Sequence, residues 1–239
     1  MPLRYKKLAI LFSLGIMLIG FGTFSMVAPG FEFSFGGKKE ENISAAATFG
    51  AIKPVEGKTQ SEIQTEIEEL MKRYFTAKQQ VDMDMIGQCV SDIAYVEEKK
   101  LLAESEYVES YENIQCMVLD GASEGAYRVY VYYDVKIYDI EPLIPSLNVL
   151  YVNLNEEGNL QIYFGTLDAN EQKCIDELDQ CKEVQELIST VSKKMEEVIS
   201  SDEQVREFYE MLESVNNTSS QTENNENIQQ EAQGEAAAE

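Results

Sequence analysis

An alternation of about eleven residues, Arg128 to Tyr138, constrains the fold of this chain more than any other stretch. Val129, Val131, Tyr133, Val135 and Ile137 fall on one side, and Arg128, Tyr130, Tyr132, Asp134, Lys136 and Tyr138 on the other. A period of two is that of a β-strand, whose successive side chains point to opposite faces. β-branched and aromatic residues suit such a pleated surface. The aliphatic side needs a core to face. The second side reads as half-exposed, with tyrosine rings packed and their hydroxyls wet.

Neighbouring strands follow from the same period. Ile114, Cys116 and Val118 alternate with Gln115, Met117 and Leu119, and Asp120-Gly121 with Gly125 marks a turn into the long strand. Pro142 and Pro145 are expected to break it. A third strand reads from about Leu147 to Leu154, Asn155 to Asn159 forms a hairpin loop, and Leu160 to Gly165 returns as a fourth. Connections this short make the strands antiparallel neighbours.

Helical spacing flanks the sheet on both sides. Thr59-Gln60-Ser61-Glu62 is a capping box. Ile63, Ile67, Leu70, Met71, Tyr74, Phe75 and Lys78 then predict an amphipathic helix to about Gln80. A short helix is expected from Met83 to Val90. A longer one is expected from Ser91 to Tyr111, with Tyr95, Leu101, Leu102, Val108 and Tyr111 as its apolar side. After the strands, Asp168 caps a helix from Ala169 to about Lys182. Cys181, Val184, Ile188, Val191, Met195 and Val198 form a heptad-like seam too short for a coiled coil, so packing on the sheet is favoured. Ser201-Asp202-Glu203-Gln204 opens a last helix through Leu212, with Val205, Phe208 and Leu212 inward.

At the N-terminus, Arg4, Lys6 and Lys7 precede an uncharged apolar run over residues 8–28. About 20 such residues span a bilayer's hydrocarbon core. The basic flank predicts a cytoplasmic N-terminus (1–7), a single-pass signal anchor in the plasma membrane (8–28), and an extracellular remainder. A cleaved signal peptide is the competing reading, but Ala28 before Pro29 makes a poor cleavage site. Residues 29–58 read as a flexible linker, 59–213 as one folded domain, and 214–239 as a disordered acidic polar tail.

Composition excludes several chemistries. The 239 residues carry 43 acidic and 19 basic side chains, a formal net charge of -24, which repels phosphate backbones; no nucleic-acid partner is expected. Histidine is absent, which removes Ser-His-Asp and Cys-His nucleophile pairs and thins the zinc-ligand options. Asp82 and Asp84 lack the other ligands of a calcium loop. Cys89, Cys116, Cys174 and Cys181 form no C-x-x-C pair, and small buried core residues are favoured over bridges. No catalytic, cofactor-binding or metal-ligating residue is assigned, and no cofactor is expected.

The element order, helices then four antiparallel strands then helices, resembles the NTF2-like (cystatin-like α+β cone) superfamily. Tyr107 to Ile114, Ala126 to Ile140, and Leu150-Tyr151-Val152-Asn153 before Glu157-Gly158-Asn159-Leu160 are similar to membrane-anchored proteins of Firmicutes such as the Lachnospiraceae. The resemblance implies an α+β class with N-terminal helices packed on a curved four-stranded sheet. It carries no catalytic residues.

Three functions are then expected in competition. The first is a membrane-anchored extracytoplasmic binding module of unassigned activity, holding an envelope protein or a small molecule. The second is a subunit of an envelope conjugation or secretion assembly of the VirB8 type, with the seam or an edge strand as a homo-oligomer interface. The third is an enzyme of the SnoaL or ketosteroid-isomerase kind, where an Asp and a Tyr suffice to move a proton α to a carbonyl. Tyr130, Tyr132 and Asp134 are its weak pocket candidates.

Overall fold

The computed structural model describes residues 58–210. The expected anchor (8–28), nearly all of the linker, Leu212 and the acidic tail lie outside the described residues.

Helix α1 (Gln60–Gln80) starts where its capping box predicts. Thr59 Oγ1 accepts from Glu62 N at 3.3 Å, and Glu62 Oε2 accepts from Thr59 N at 2.7 Å, so two orphan donors are satisfied. Its stripe buries Ile63, Ile67, Leu70, Met71, Tyr74 and Phe75, together with Ala77. Lys78, at the end of that stripe, bonds Glu104 at 2.7 Å. Helix α2 (Met83–Cys89) follows, capped by Asp82, whose Oδ1 accepts from Met85 N at 2.9 Å.

The long helix expected from Ser91 to Tyr111 does not form. A 3₁₀ turn (Ile93–Tyr95) and a short helix α3 (Glu98–Ser105) take its first part, and strand β1 (Val108–Asp120) takes the rest. Two of the residues assigned to its apolar side, Tyr95 and Leu102, are exposed. Val108 pairs instead with Ile137 across the sheet. Tertiary pairing outweighs an irregular helical pattern here, because Tyr107-Val108 and Tyr111 satisfy strand as readily as helix preferences.

The sheet is a curled antiparallel half-barrel in the order β1-β2-β3-β4, with β2 at Tyr127–Ile137, β3 at Ile144–Leu154 and β4 at Leu160–Ile162. Val118 faces Val129, Val129 faces Leu150, and Val152 faces Ile162. The β1–β2 turn needs its glycine. Gly125 has φ 74°, and a Cβ there would lie 2.6 Å from Leu154 Cδ1. The long strand ends at Ile137, before either proline, and Pro145, expected to break it ahead of the third strand, sits inside β3 opposite Asp134. β4 reaches only Val152 to Leu154, so β3 is an edge strand at Pro145, the setting that tolerates a residue with no N–H.

The aliphatic side of β2 faces the main core, with Cys116, Val118, Leu150, Val152 and Ile162, under α1 and α2. Helix α1 also runs along the outer edge of β1. Gln64 Nε2 donates to Cys116 O at 3.2 Å and Gln79 Nε2 donates to Glu109 O at 2.7 Å. Fifteen helical residues and seven strand residues each span about 23 Å, so the two elements stay in step.

The other side of the sheet is covered too. Helix α4 (Ala169–Asp179) and helix α5 (Lys182–Ser201) lie there, and the α5 seam packs on the sheet as expected, burying Val184 and Val191. Tyr130, Leu119 and Val184 form a second buried cluster, bordered by Leu147, Val149 and Ile188. The chain then turns at Asp202 into a helical segment, 203–210, whose Val205 and Phe208 return to the main core. Asp202, not Ser201, supplies the cap, accepting from Val205 N at 3.0 Å.

Candidate functional site

The second side of β2 is half-exposed only in part: Arg128, Tyr132 and Lys136 are half-buried and Tyr138 is exposed, but its centre is covered. Tyr130 is 1 % exposed and Asp134 8 %. The buried polar groups at its centre have partners, Tyr130 from the covering layer and Asp134 from within the sheet, because a buried polar atom without one is costly.

Tyr130 and Arg128 meet Asp179, the last residue of α4. Arg128 Nε donates to Asp179 Oδ1 at 3.1 Å and Nη2 to Oδ2 at 2.9 Å, a forked pair, while the Tyr130 hydroxyl donates to Oδ1. Burial first, then Asp179, pushes the Tyr130 hydroxyl pKa well above its ordinary value.

Tyr132 and Asp134 do come together. The Tyr132 hydroxyl donates to Asp134 Oδ1 at 2.6 Å, and Asn113 Nδ2 donates to Oδ2 at 2.7 Å. Asn113 reaches across because β1 breaks register between Glu112 and Gln115, with Asn113 left-handed at φ 51°. Bulges re-aim side chains in this way, and asparagine tolerates the left-handed region better than most residues. Lys194 of α5 closes the cluster, its Nζ 5.2 Å from the centre of the Tyr132 ring. Burial holds the Lys194 pKa below the usual lysine value, against the opposing pull of Asp134 and Glu197.

A third tie was not legible in the chain. Glu171, 5 % exposed in the first turn of α4, accepts from Ala122 N at 3.1 Å and Ser123 N at 2.7 Å in the β1–β2 turn. Tyr151 bonds it as well. Burial raises its pKa, but the bonds from Ser123, Tyr151 and the two amides outweigh that and hold it below the usual carboxylate value.

The face therefore has the Asp and Tyr of a proton-transfer pair, but both Asp134 oxygens already accept bonds and the Tyr130 hydroxyl is engaged with Asp179. An open concavity among the described residues lies elsewhere. A groove of about 510 Å³ runs between α1, α2 and the β3–β4 hairpin. Glu66, Glu69 and Arg73 of α1 form one wall, Gln88 of α2 the floor, and Asn155, Glu157 and Asn159 the other wall. Arg73 Nε donates to Cys89 Sγ at 3.4 Å, and Glu66 pairs with Lys58 at 2.6 Å. Asn155 Oδ1 shapes the hairpin, accepting from Glu157 N at 3.0 Å and Asn159 N at 2.9 Å.

The sequence reading missed this groove. Glu62, Glu66, Glu69 and Arg73 do step along α1 by four, three and four residues, opposite the apolar stripe, but such a polar face ordinarily just meets solvent. Among the described residues no group of three or more acidic or cysteine side chains is placed to hold a metal ion. No helix among them is long and apolar enough to cross a membrane. Compared with family models, with curated proteins and with solved structures, the chain matches none.

Proposed function

We propose that this protein is a binding module, held outside the plasma membrane by its N-terminal segment, that takes a polar, positively charged segment of an envelope protein in the α1–α2–hairpin groove. The observation that carries the reading is the groove's chemistry. Three carboxylates and four side-chain amides line an open cleft with a single guanidinium, on a chain of net charge -24. Such a wall attracts cations over the last stretch of an encounter and offers hydrogen bonds to a peptide. The half-barrel with helices on both sides fits an NTF2-like cone, and that likeness is part of the same proposal.

The competing readings draw less support. In the strip Tyr130, Tyr132 and Asp134 the polar atoms are already hydrogen-bonded, to one another, to Asn113 and to Asp179, so a substrate would have to compete with those bonds. Of the surfaces suited to an assembly, the seam of α5 and the outer edge of β1 are used within the molecule, and the β3 edge from Ile144 to Leu150 is left without a strand beside it among the described residues.

The test is a titration of the protein with fluorescent peptides, one lysine-rich and one glutamate-rich, of equal length. The lysine-rich peptide binds, the glutamate-rich one does not, and Glu69→Lys with Glu157→Lys weakens binding by about tenfold or more. Equal binding of both peptides, or an affinity indifferent to the charge reversal, defeats the reading. A C-terminal reporter active only in the cytosol defeats the location.

A further inference from the structure

The two sides of the sheet are fastened in different ways. Helix α1 buries seven side chains in the main core. Helix α5 buries two along 20 residues, Val184 and Val191, and α4 buries Glu171 and Ile175. Regions with few buried apolar contacts are those that open first from a native state.

Polar ties make up the difference, and each depends on a carboxylate. Glu171 holds the β1–β2 turn through the Ala122 and Ser123 amides and holds Tyr151, with Cys174 and Asp168 close by. Asp179 holds the Arg128 guanidinium and the Tyr130 hydroxyl. Asp134 faces Tyr132, Asn113 and, from α5, Lys194, with Glu197 beside that lysine. The placement of Asp179 is locally unfavourable. It sits in the last turn of α4, where the helix dipole disfavours an acid and no basic residue compensates. That position makes sense only for the sheet beneath.

The far end of the layer is anchored differently. Val198 and Ile199 at the end of α5 pack with the main core, and 203–210 adds Val205 and Phe208 to it. A rigid helix fixed at one end and latched at the other can swing.

We propose that α4 and α5 form a hinged cover over the second side of the sheet. It pivots on the last turn of α5 and is latched by Glu171, Asp179 and the seat of Lys194 over the Tyr132 ring. When it lifts, Arg128, Tyr130, Tyr132 and Tyr151 become a solvent-facing strip while α1, α2 and the sheet stay folded. Glu171 gives the latch its pH sense, since a proton on one carboxylate oxygen weakens the charge-assisted bonds from the two turn amides.

Native-state hydrogen exchange on the full 239-residue chain tests this, with protection corrected for intrinsic rates. Amides of α4 and of α5 through Val191 should open about tenfold or more as often as those of α1 and β2. Glu171→Gln with Asp179→Asn should raise that opening by about a further tenfold and leave α1 and β2 unchanged. Equal protection of α5 and α1 in the unaltered chain overturns the cover, since the layers then unfold as one. So does a double variant that loses protection equally everywhere. If the variant does not fold, the comparison within the unaltered chain decides alone.

Discussion

Tyr132 and Asp134 stand two residues apart on one strand, and the hydroxyl of the first donates to the carboxylate of the second at 2.6 Å. The third member, Asn113, arrives from the neighbouring strand only because the bulge there turns its backbone left-handed. Asn113→Ala removes a donor from a buried carboxylate and places a Cβ-bearing residue without a local hydrogen bond at φ 51°. A loss of about 1–3 kcal/mol in urea unfolding is expected. Asn113→Gly, which relieves the backbone and loses only the donor, should cost less. Equal costs would mean the backbone geometry is irrelevant.

Glu171 should write its own pH dependence into stability. Its folded pKa lies below the unfolded value because Ser123, Tyr151 and two amides outweigh burial. Its contribution is therefore fully present above the unfolded value, about 4.3, and is lost as pH falls through the lower folded value. Glu171→Gln should destabilise at pH 7 by about 1–3 kcal/mol and flatten the acid side of the stability profile, below the unfolded carboxylate value. Parallel profiles for the two proteins would contradict this.

The cysteines should divide by position. No disulfide joins them; Cys89 and Cys116 are buried and Cys174 and Cys181 half-buried. Burial, with Glu68 adding and Lys72 opposing, pushes the Cys116 thiol up to about 12. At pH 8 a thiol reagent should modify Cys174 and Cys181 in the folded chain, and Cys89 and Cys116 only after denaturant is added. Mass mapping of early adducts checks the assignment.

Tyr127 offers a stabilising change. Its hydroxyl is buried with no hydrogen-bond partner among the described residues, and burial, then Asp120, Glu124 and Glu66, pushes its pKa up to about 12. Tyr127→Phe should be neutral or raise stability by up to about 1–2 kcal/mol. A clear loss would reveal a partner for that oxygen.

Two helical leucine-class positions should behave oppositely. Ile67 is fully buried, and Ile67→Ala should cost about 2–5 kcal/mol. Leu102 is 49 % exposed, and Leu102→Ala should stay within about 0.5 kcal/mol. Thermal melts of both variants separate the outcomes.

The contrast between those positions also shows where the sequence was legible. The α1 stripe and the β2 alternation are long, regular patterns, and both elements form where the spacing puts them. From Ser91 to Tyr111 the apolar residues follow no clean period, and long-range pairing with β2 decided their fate. Pro145 looked like a stop because a sequence does not say which strand will be an edge. On the polar side of β2, Tyr130 and Asp134 are buried because helices from later in the chain lie over them, which nothing local announces. The groove was invisible for a related reason. Its walls come from 66–73, 87–90 and 155–161, which only the folded hairpin brings together.

The glutamines that fasten α1 along β1 have a consequence for crowded chains. One rim of the sheet already spends backbone carbonyls on Gln64 and Gln79. Among the described residues, the opposite rim, β3 from Ile144 to Leu150, has no strand beside it. Of the two rims, the β3 edge is therefore the one left open to another strand among the described residues.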